Sequence, residues 1–238
     1  MVQPLPVQPH GKLDEILPDV FVVTGSFPMA PLMSIPRNMI VLRTGAELTV
    51  INAVRLTAEG ERELEGLGTV RHVVRLGLFH TTDLPYYRER FSPTFWAPDP
   101  NAQSERLVDG AKGPVEGTRV FTFQGGTEAE AALIVERSGG NLLVTCDSIQ
   151  NWVDVRGSSF VGGLVARAMG FVTPAKIGPI WLKKMTGGRP AALGPDFDRL
   201  LAQDFSHLVA GHGVMLRDDA KAAIARSCVV QGVRARPR

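Results

Sequence analysis

Two histidines and two aspartates stand where a rigid sheet can aim a side chain. His80 and Asp83 follow the apolar run VRHVVRLGLF (70–79), Asp147 follows the apolar part of NLLVTCDS (141–148), and His212 lies between glycines in HLVAGHG (207–213). Loops at strand ends often carry chemistry, because the sheet fixes geometry while the loop leaves the side chain accessible. Two imidazoles and two carboxylates are the donor types of a divalent metal site, and two histidines with a carboxylate and open positions suit zinc or iron(II). These four residues form the candidate site.

Each also has a plainer role. Asp83 precedes LPYYRERF, and its carboxylate can cap that helix by accepting orphan amide hydrogens. His80 can be a hydrogen-bonded corner residue, and His212 a turn residue between two small neighbours. Asp147, an ionisable group directly after an apolar strand, has to find water, a donor or a metal. Cys146 beside it invites a thiol nucleophile with His212 as base, but a reactive thiolate needs an electropositive, partly exposed setting, and the alternation of LLVTCD turns Cys146 into the sheet packing. His10, His72 and His207 read as structural or exposed.

The elements that position these residues can be read from pattern. VFVVTG (20–25) is a core strand, and NMIVLRTGAELTVINAV (38–54) is a hairpin turning at Thr44-Gly45. TAEGERELEGLG (57–68) carries a capping threonine, early acids and a terminal glycine, the punctuation of a helix. A strand over 70–79, a short helix with Pro85 in its first turn, a strand over 94–98 and a polar connector over 101–117 follow. The second half restarts with strands over 118–126, 131–140 and 141–148, joined at Gly139-Gly140. Helical or mixed segments fill 150–203, and the helix RDDAKAAIARSC (217–228) shows an apolar face at Ala220, Ala223, Ile224, Ser227 and Cys228. No solenoid or propeller period is present. Strands followed by helices occur twice, a rough symmetry of two halves.

With 44% hydrophobic and 21% charged residues, the 238-residue chain has globular composition, which excludes disordered and fibrous classes. One domain spanning 1–238 is expected, with an extended segment at 1–15 and a basic tail at 230–238. Lysine and arginine number 26 against 24 acids, and no concentrated basic face is evident, so nucleic acid is not an expected partner. Cys146 and Cys228 read as reduced core thiols, which points to a cytoplasmic location. The start MVQPLPVQPHGKLDEI lacks the pattern of a secretory signal. The most apolar later stretch is interrupted by Arg167, Pro174 and Lys176, short of the roughly 18 apolar residues of a span, so no membrane association is expected.

The order of elements, LLVTCDS ending its strand in aspartate, and above all HLVAGHG resemble the metallo-β-lactamase superfamily over about residues 16–228. That resemblance implies an α+β fold, a four-layer αββα sandwich. It also implies a metal motif of the form HxHxDH, matched here by LFHTTD (78–83): Leu78 and Thr82 replace a histidine and an aspartate, His80 is kept, and Asp83 stands for the last histidine. Gly126, in QGGTEAE, stands where the family has another histidine; Glu128 or Glu130 could supply a donor there, or lie solvated on a loop. A normal dinuclear centre is therefore not expected.

What remains is a mononuclear site of His80, Asp83, Asp147 and His212 for one zinc or iron ion, with Asp83 or Asp147 as catalytic groups orienting water. An ion of this kind lowers the pKa of bound water to about 7. The implied activity is hydrolysis of a small ester, lactone or similar substrate, at a mouth shaped by Trp152, Phe160, Met169, Phe171 and Trp181, residues that serve equally well as helix core. The alternative is a non-catalytic descendant of the fold, without metal, that binds a small ligand or a protein partner. Oligomeric state is not legible.

Overall fold

The computed structural model describes residues 6–99 and 103–234. Four strands open it: β1 (Asp14–Leu17), β2 (Val20–Ala30), β3 (Met33–Thr44) and β4 (Glu47–Ile51). Helix α1 (Ala58–Leu67) then crosses to β5 (Thr69–Val74), α2 (Leu84–Phe91) to β6 (Thr94–Ala97), and β7 (Glu105–Arg106) completes a seven-stranded sheet in sequential order. Pairing is antiparallel through β4 and parallel from β4 to β7. The change follows from connection length: Gly45, at φ +61°, permits the tight β3–β4 turn, whereas parallel neighbours need a crossover, supplied first by α1. Thr57 caps α1 through the Gly60 amide at 3.2 Å, as its sequence suggests.

A second sheet is built from β8 (Thr118–Phe123), β9 (Glu130–Val135) and β10 (Leu142–Val144). A small ribbon of β11 (Ile149–Gln150) and β12 (Lys176–Ile177) interrupts a helical stretch of α3 (Phe160–Ala168), α4 (Pro179–Thr186), a 3₁₀ turn (Pro190–Leu193) and α5 (Gly194–Leu201). Strand β13 (His207–Val209) then adds to the second sheet in the order β13-β10-β9-β8, parallel to β10, and α6 (Ala220–Val230) closes the chain. The strand expected over 70–79 ends earlier, at Val74, and residues 75–83 form an irregular corner.

Period-2 alternation explains the layers. Val20, Ile40 and Leu42 point one way from the first sheet and meet Val120, Leu133, Leu142 and Val209 of the second. Their strand neighbours Val23, Met39 and Val41 point the other way, onto Leu64 of α1 and Leu84 and Tyr87 of α2. On the far side of the second sheet, Phe121, Phe123, Ile134 and Leu143 pack on Trp181, Phe197 and Ile224. Three apolar layers between four structural ones give the αββα sandwich.

The chain ends are partly tied down. Val233 is buried and Arg234 pairs with Asp198 at 2.7 Å, so residues 230–234 are not the free tail expected from composition, while 235–238 lie outside the described residues. His10 accepts from the Thr57 amide at 2.8 Å, a structural role. Among the described residues, no helix is long and apolar enough to cross a membrane.

One buried side chain joins the two sheets at their upper edge. Asn38 of β3 donates through Nδ2 to the carbonyls of Ala210 (3.0 Å) and Gly213 (2.6 Å), and its Oδ1 accepts from the Thr24 hydroxyl (2.8 Å). Replacing it by alanine leaves those buried carbonyls without a donor. We expect Asn38→Ala to cost about 2–4 kcal/mol, read from the urea midpoint, and to increase hydrogen exchange in residues 210–213.

Candidate metal centre

The site forms where three strand ends meet. β10 and β13 are adjacent and parallel, so the loops leaving their C-terminal ends run side by side and bring Asp147 next to His212. The corner after β5 supplies His80 from the other sheet. Its backbone is left-handed (φ +58°), a conformation that costs a non-glycine residue roughly 1–2 kcal/mol. Small residues allow the approach: a Cβ on Gly211 would lie 3.2 Å from His80 Cε1, and one on Gly213, at φ +85°, would lie 1.9 Å from the Asn151 carbonyl oxygen.

Three donor side chains converge. His80 Nε2 is 3.1 Å from His212 Nε2 and 3.5 Å from Asp147 Oδ2, and His212 Nε2 is 3.3 Å from Asp147 Oδ1. A tetrahedral ion with bonds of about 2.0–2.2 Å holds its donors about 3.3–3.6 Å apart; the two imidazole–carboxylate separations match that spacing and the 3.1 Å imidazole–imidazole one is slightly shorter. Hydrogen-bond chemistry fits as well. His212 Nδ1–H donates to the Pro36 carbonyl at 2.7 Å, which leaves Nε2 as a lone pair aimed at the centre. His80 Nδ1 is buried with no hydrogen-bond partner among the described residues.

Electrostatics set the protonation states. Burial pushes the His80 imidazole down to about 3, against the pull of Asp147, so the ring is neutral at physiological pH. Asp147 is also buried, which by itself would raise its pKa, but His80, His212 and the Cys146 thiol hold it below the ordinary carboxylate range. A neutral His80 imidazole beside an ionised Asp147 carboxylate is the state that ligates a cation.

Three further groups hold this arrangement. Gln150 Nε2 donates to Asp147 Oδ1 at 3.1 Å and accepts through Oε1 from the Trp152 indole at 3.1 Å. Trp152 also stacks on His212, with centroids 5.7 Å apart at 23°. Gln150 carries no signal in the sequence, since its role depends on the turn that follows Asp147. The Cys146 sulfur shares a potential ligand group with His80 and Asp147. Burial, together with the neighbouring Asp147 carboxylate, raises its thiol well above the usual range, so it donates to Asp147 Oδ2 (3.3 Å) and does not suit a nucleophile.

Asp83 does not join the group, contrary to its expected roles as ligand and catalytic residue. Its Oδ2 is taken by the buried guanidinium of Arg37 and by the Arg55 amide at 2.9 Å. It occupies the N-cap position of α2 without making a side-chain cap bond, so the capping alternative fails as well. A buried arginine one strand away attracts the carboxylate more strongly than a helix end does. Arg37, buried in β3, was the overlooked signal.

The substituted positions have their own packing. Leu78 and Thr82 line the cavity, and a Cβ on Gly126 would stand 2.2 Å from Met185 Cε, so the methionine fills the space beside that glycine. Glu128 pairs with Lys184 at 3.6 Å. Glu130 is buried; desolvation and the neighbouring Asp147 raise its pKa well above the usual value, outweighing the nearby Trp181 indole, Leu78 amide and Arg75. It is a neutral acid beneath the corner, where a Cβ on Gly77 would lie 1.5 Å from its Oε2.

Above the three donors opens a cavity of about 290 Å³. Its walls are apolar, with Phe27, Met33, Val165 and Met169 among them, and Arg37 and Thr81 add polar groups. Of the expected mouth residues, Trp152, Met169 and Phe171 line it. Phe160 instead faces solvent and Trp181 lies in the core below the second sheet.

No protein-family model and no curated protein sequence matches the chain. Solved structures do. The metallo-β-lactamase FIM-1 from Pseudomonas aeruginosa, in its mono-zinc form, superposes with a TM-score of 0.60 at 12% identity, covering 98% of this chain and 99% of that one. A metallo-β-lactamase from Erythrobacter litoralis gives 0.60 at 12% identity, with coverage of 94% and 96%. DIM-1 metallo-β-lactamase exposed to ceftazidime gives 0.64 at 11% identity, with coverage of 97% and 99%, while VMB-1 gives 0.63 at 14% identity over 92% and 98%. The chain therefore has the metallo-β-lactamase fold.

Folded Glu130 keeps its proton to a higher pH than the unfolded chain does, so ionisation of the unfolded state weakens the fold as pH rises above about 4.5. Relative to the native protein, Glu130→Gln should gain stability with rising pH, by at most about 1.4 kcal/mol per pH unit. Urea unfolding of both proteins at pH 4.5 and 7.5 measures it; a pH-independent difference would mean that the fold does not raise the Glu130 pKa.

Proposed function

We propose that the protein is a metal-dependent hydrolase with a reduced, mononuclear site, acting on a small ester, lactone or similar molecule with an apolar acyl part. The observation that carries this reading is the convergence of His80, Asp147 and His212 at 3.1–3.5 Å, with a lone pair of His212 directed inward. The fold supports it, and so do donor types that suit zinc or iron(II). Such an ion supplies Lewis-acid polarisation of a carbonyl and a lowered pKa for water.

The remaining work falls to the chain. Pro36 fixes the His212 tautomer, and Gln150 with Cys146 orients Asp147, the group best placed to hold a water or its proton. Arg37 lines the cavity, with Nε and Nη1 lacking a hydrogen-bond partner among the described residues, and is suited to donate to a substrate oxygen; Asp83 and the Phe27 ring, 5.0 Å away, hold it there. Apolar walls favour an acyl group and exclude competing water.

A second reading has an observation of its own. Leu78, Thr82 and Gly126 offer no strong donor for a second ion, and the 3.1 Å His80–His212 contact can be an ordinary hydrogen bond between neutral rings, as in a metal-free descendant that only binds a ligand. Elemental analysis of untagged protein separates the two. About one zinc or iron per chain, lost in His212→Ala, is expected, with ester hydrolysis falling at least about 100-fold in Asp147→Asn. Absence of metal from the native protein after exposure to both ions would leave the binding reading in its place.

A further inference from the structure

Helix α3 is inverted relative to an ordinary surface helix. Gly162, Gly163 and Ala166 face the body, whereas Phe160 (90% exposed), Val161 (40%) and Leu164 (61%) face solvent. A surface helix normally turns its apolar stripe inward. The glycines permit close seating on β3, since a Cβ on Gly162 would stand 2.1 Å from the Ser34 carbonyl oxygen. Ser159 pins the same junction, accepting from the Ser34 amide (3.0 Å) and donating to the Leu32 carbonyl (2.9 Å). That holds Leu32, 86% exposed at the β2–β3 tip, beside the first turn of the helix.

The apolar surface continues to the cavity. Met29, Met169 and Ile180 line the mouth, and each is nearly half exposed. Charge follows the same segment. Between residues 155 and 195 the chain carries Arg156, Arg167, Lys176, Lys183, Lys184 and Arg189 and no acid, so the balanced total charge conceals a cationic stretch. Arg167 shares the exposed face of α3 with Phe160 and Leu164, and Lys183 and Lys184 stand one turn after Ile180 on α4. Arg156 and Lys184 pair with Asp154 and Glu128, whereas Arg167, Lys183 and Arg189 form no ion pair among the described residues.

We propose that this face docks on an anionic lipid surface, with Phe160, Leu164 and Leu32 entering the acyl boundary and the basic side chains at the headgroups, so that the cavity mouth opens toward lipid. Contiguous exposed apolar patches mark interaction surfaces, and apolar residues interleaved with bases match the layered chemistry of a lipid interface. A second copy of the chain fits less well, because an isologous contact sets the same unpaired bases against each other. This surface contact needs no transmembrane helix. The inference stands apart from the metal-site reading.

Vesicle flotation in the presence of EDTA tests it without any catalytic readout. The protein should float with phosphatidylglycerol vesicles at low salt, bind phosphatidylcholine vesicles weakly, and be released by high salt. The Phe160→Ser/Leu164→Ser variant should lose binding by about tenfold or more, and Arg167→Glu/Lys183→Glu should do so on anionic vesicles only, with native circular dichroism in both. Failure of the native protein to float, or equal flotation of the serine variant, would overturn the proposal. So would a dimer in sedimentation velocity that the serine substitutions dissociate, since the face would then belong to a second copy.

Discussion

Strand β3 grips the loop that follows β13, and the site exists only because of that grip. Over three residues, the Pro36 carbonyl accepts from His212 Nδ1, the Asn38 amide donates to the Gly211 carbonyl at 2.7 Å, and the Asn38 side chain donates to Ala210 and Gly213. A loop leaving a sheet has backbone groups that need partners, and burial makes each unmade bond expensive. Here the facing sheet supplies them. One set of bonds thereby joins the two halves of the sandwich, fixes the His212 tautomer and aims its lone pair at Asp147 and His80.

Around that anchor, the fold keeps several ionisable groups out of water by giving each a different remedy. Arg37 and Asp83 neutralise each other, Asp147 is stabilised by surrounding donors, and His80, Glu130 and Cys146 stay uncharged because burial disfavours their charged forms. The net effect is a single unneutralised negative charge, on Asp147, facing two imidazoles. A cavity floor with that charge and those lone pairs favours a cation. Its apolar walls favour a hydrocarbon group above it.

The packing also accounts for the economy of the site. Met185 occupies the space beside Gly126, and Leu78 adds to the apolar lining, so side chains that improve the core and cavity stand where the superfamily resemblance places imidazoles. The same trade of polar function for apolar surface recurs outside, where α3 spends its small residues on contact with β3 and leaves its large ones in solvent.

Much of this was legible in the chain. The apolar runs VFVVTG and NMIVLRTG marked a core strand and a hairpin, Thr57 and Gly68 bounded a helix, and the apolar runs before Asp147 and His212 marked strand ends, because these signals are local and depend only on backbone period and side-chain type. Convergence of His80 with those two residues is not local, since it depends on the register of β10 against β13 and on the meeting of two sheets. Asp83 shows the difference most clearly. Sequence alone makes it either a ligand or a cap, but Arg37, 46 positions earlier, claims its carboxylate once the fold brings them together. Gln150, the protonation of Glu130 and the outward turn of Phe160 were likewise decided by tertiary structure, because burial and long-range partners determine what a polar or apolar side chain does.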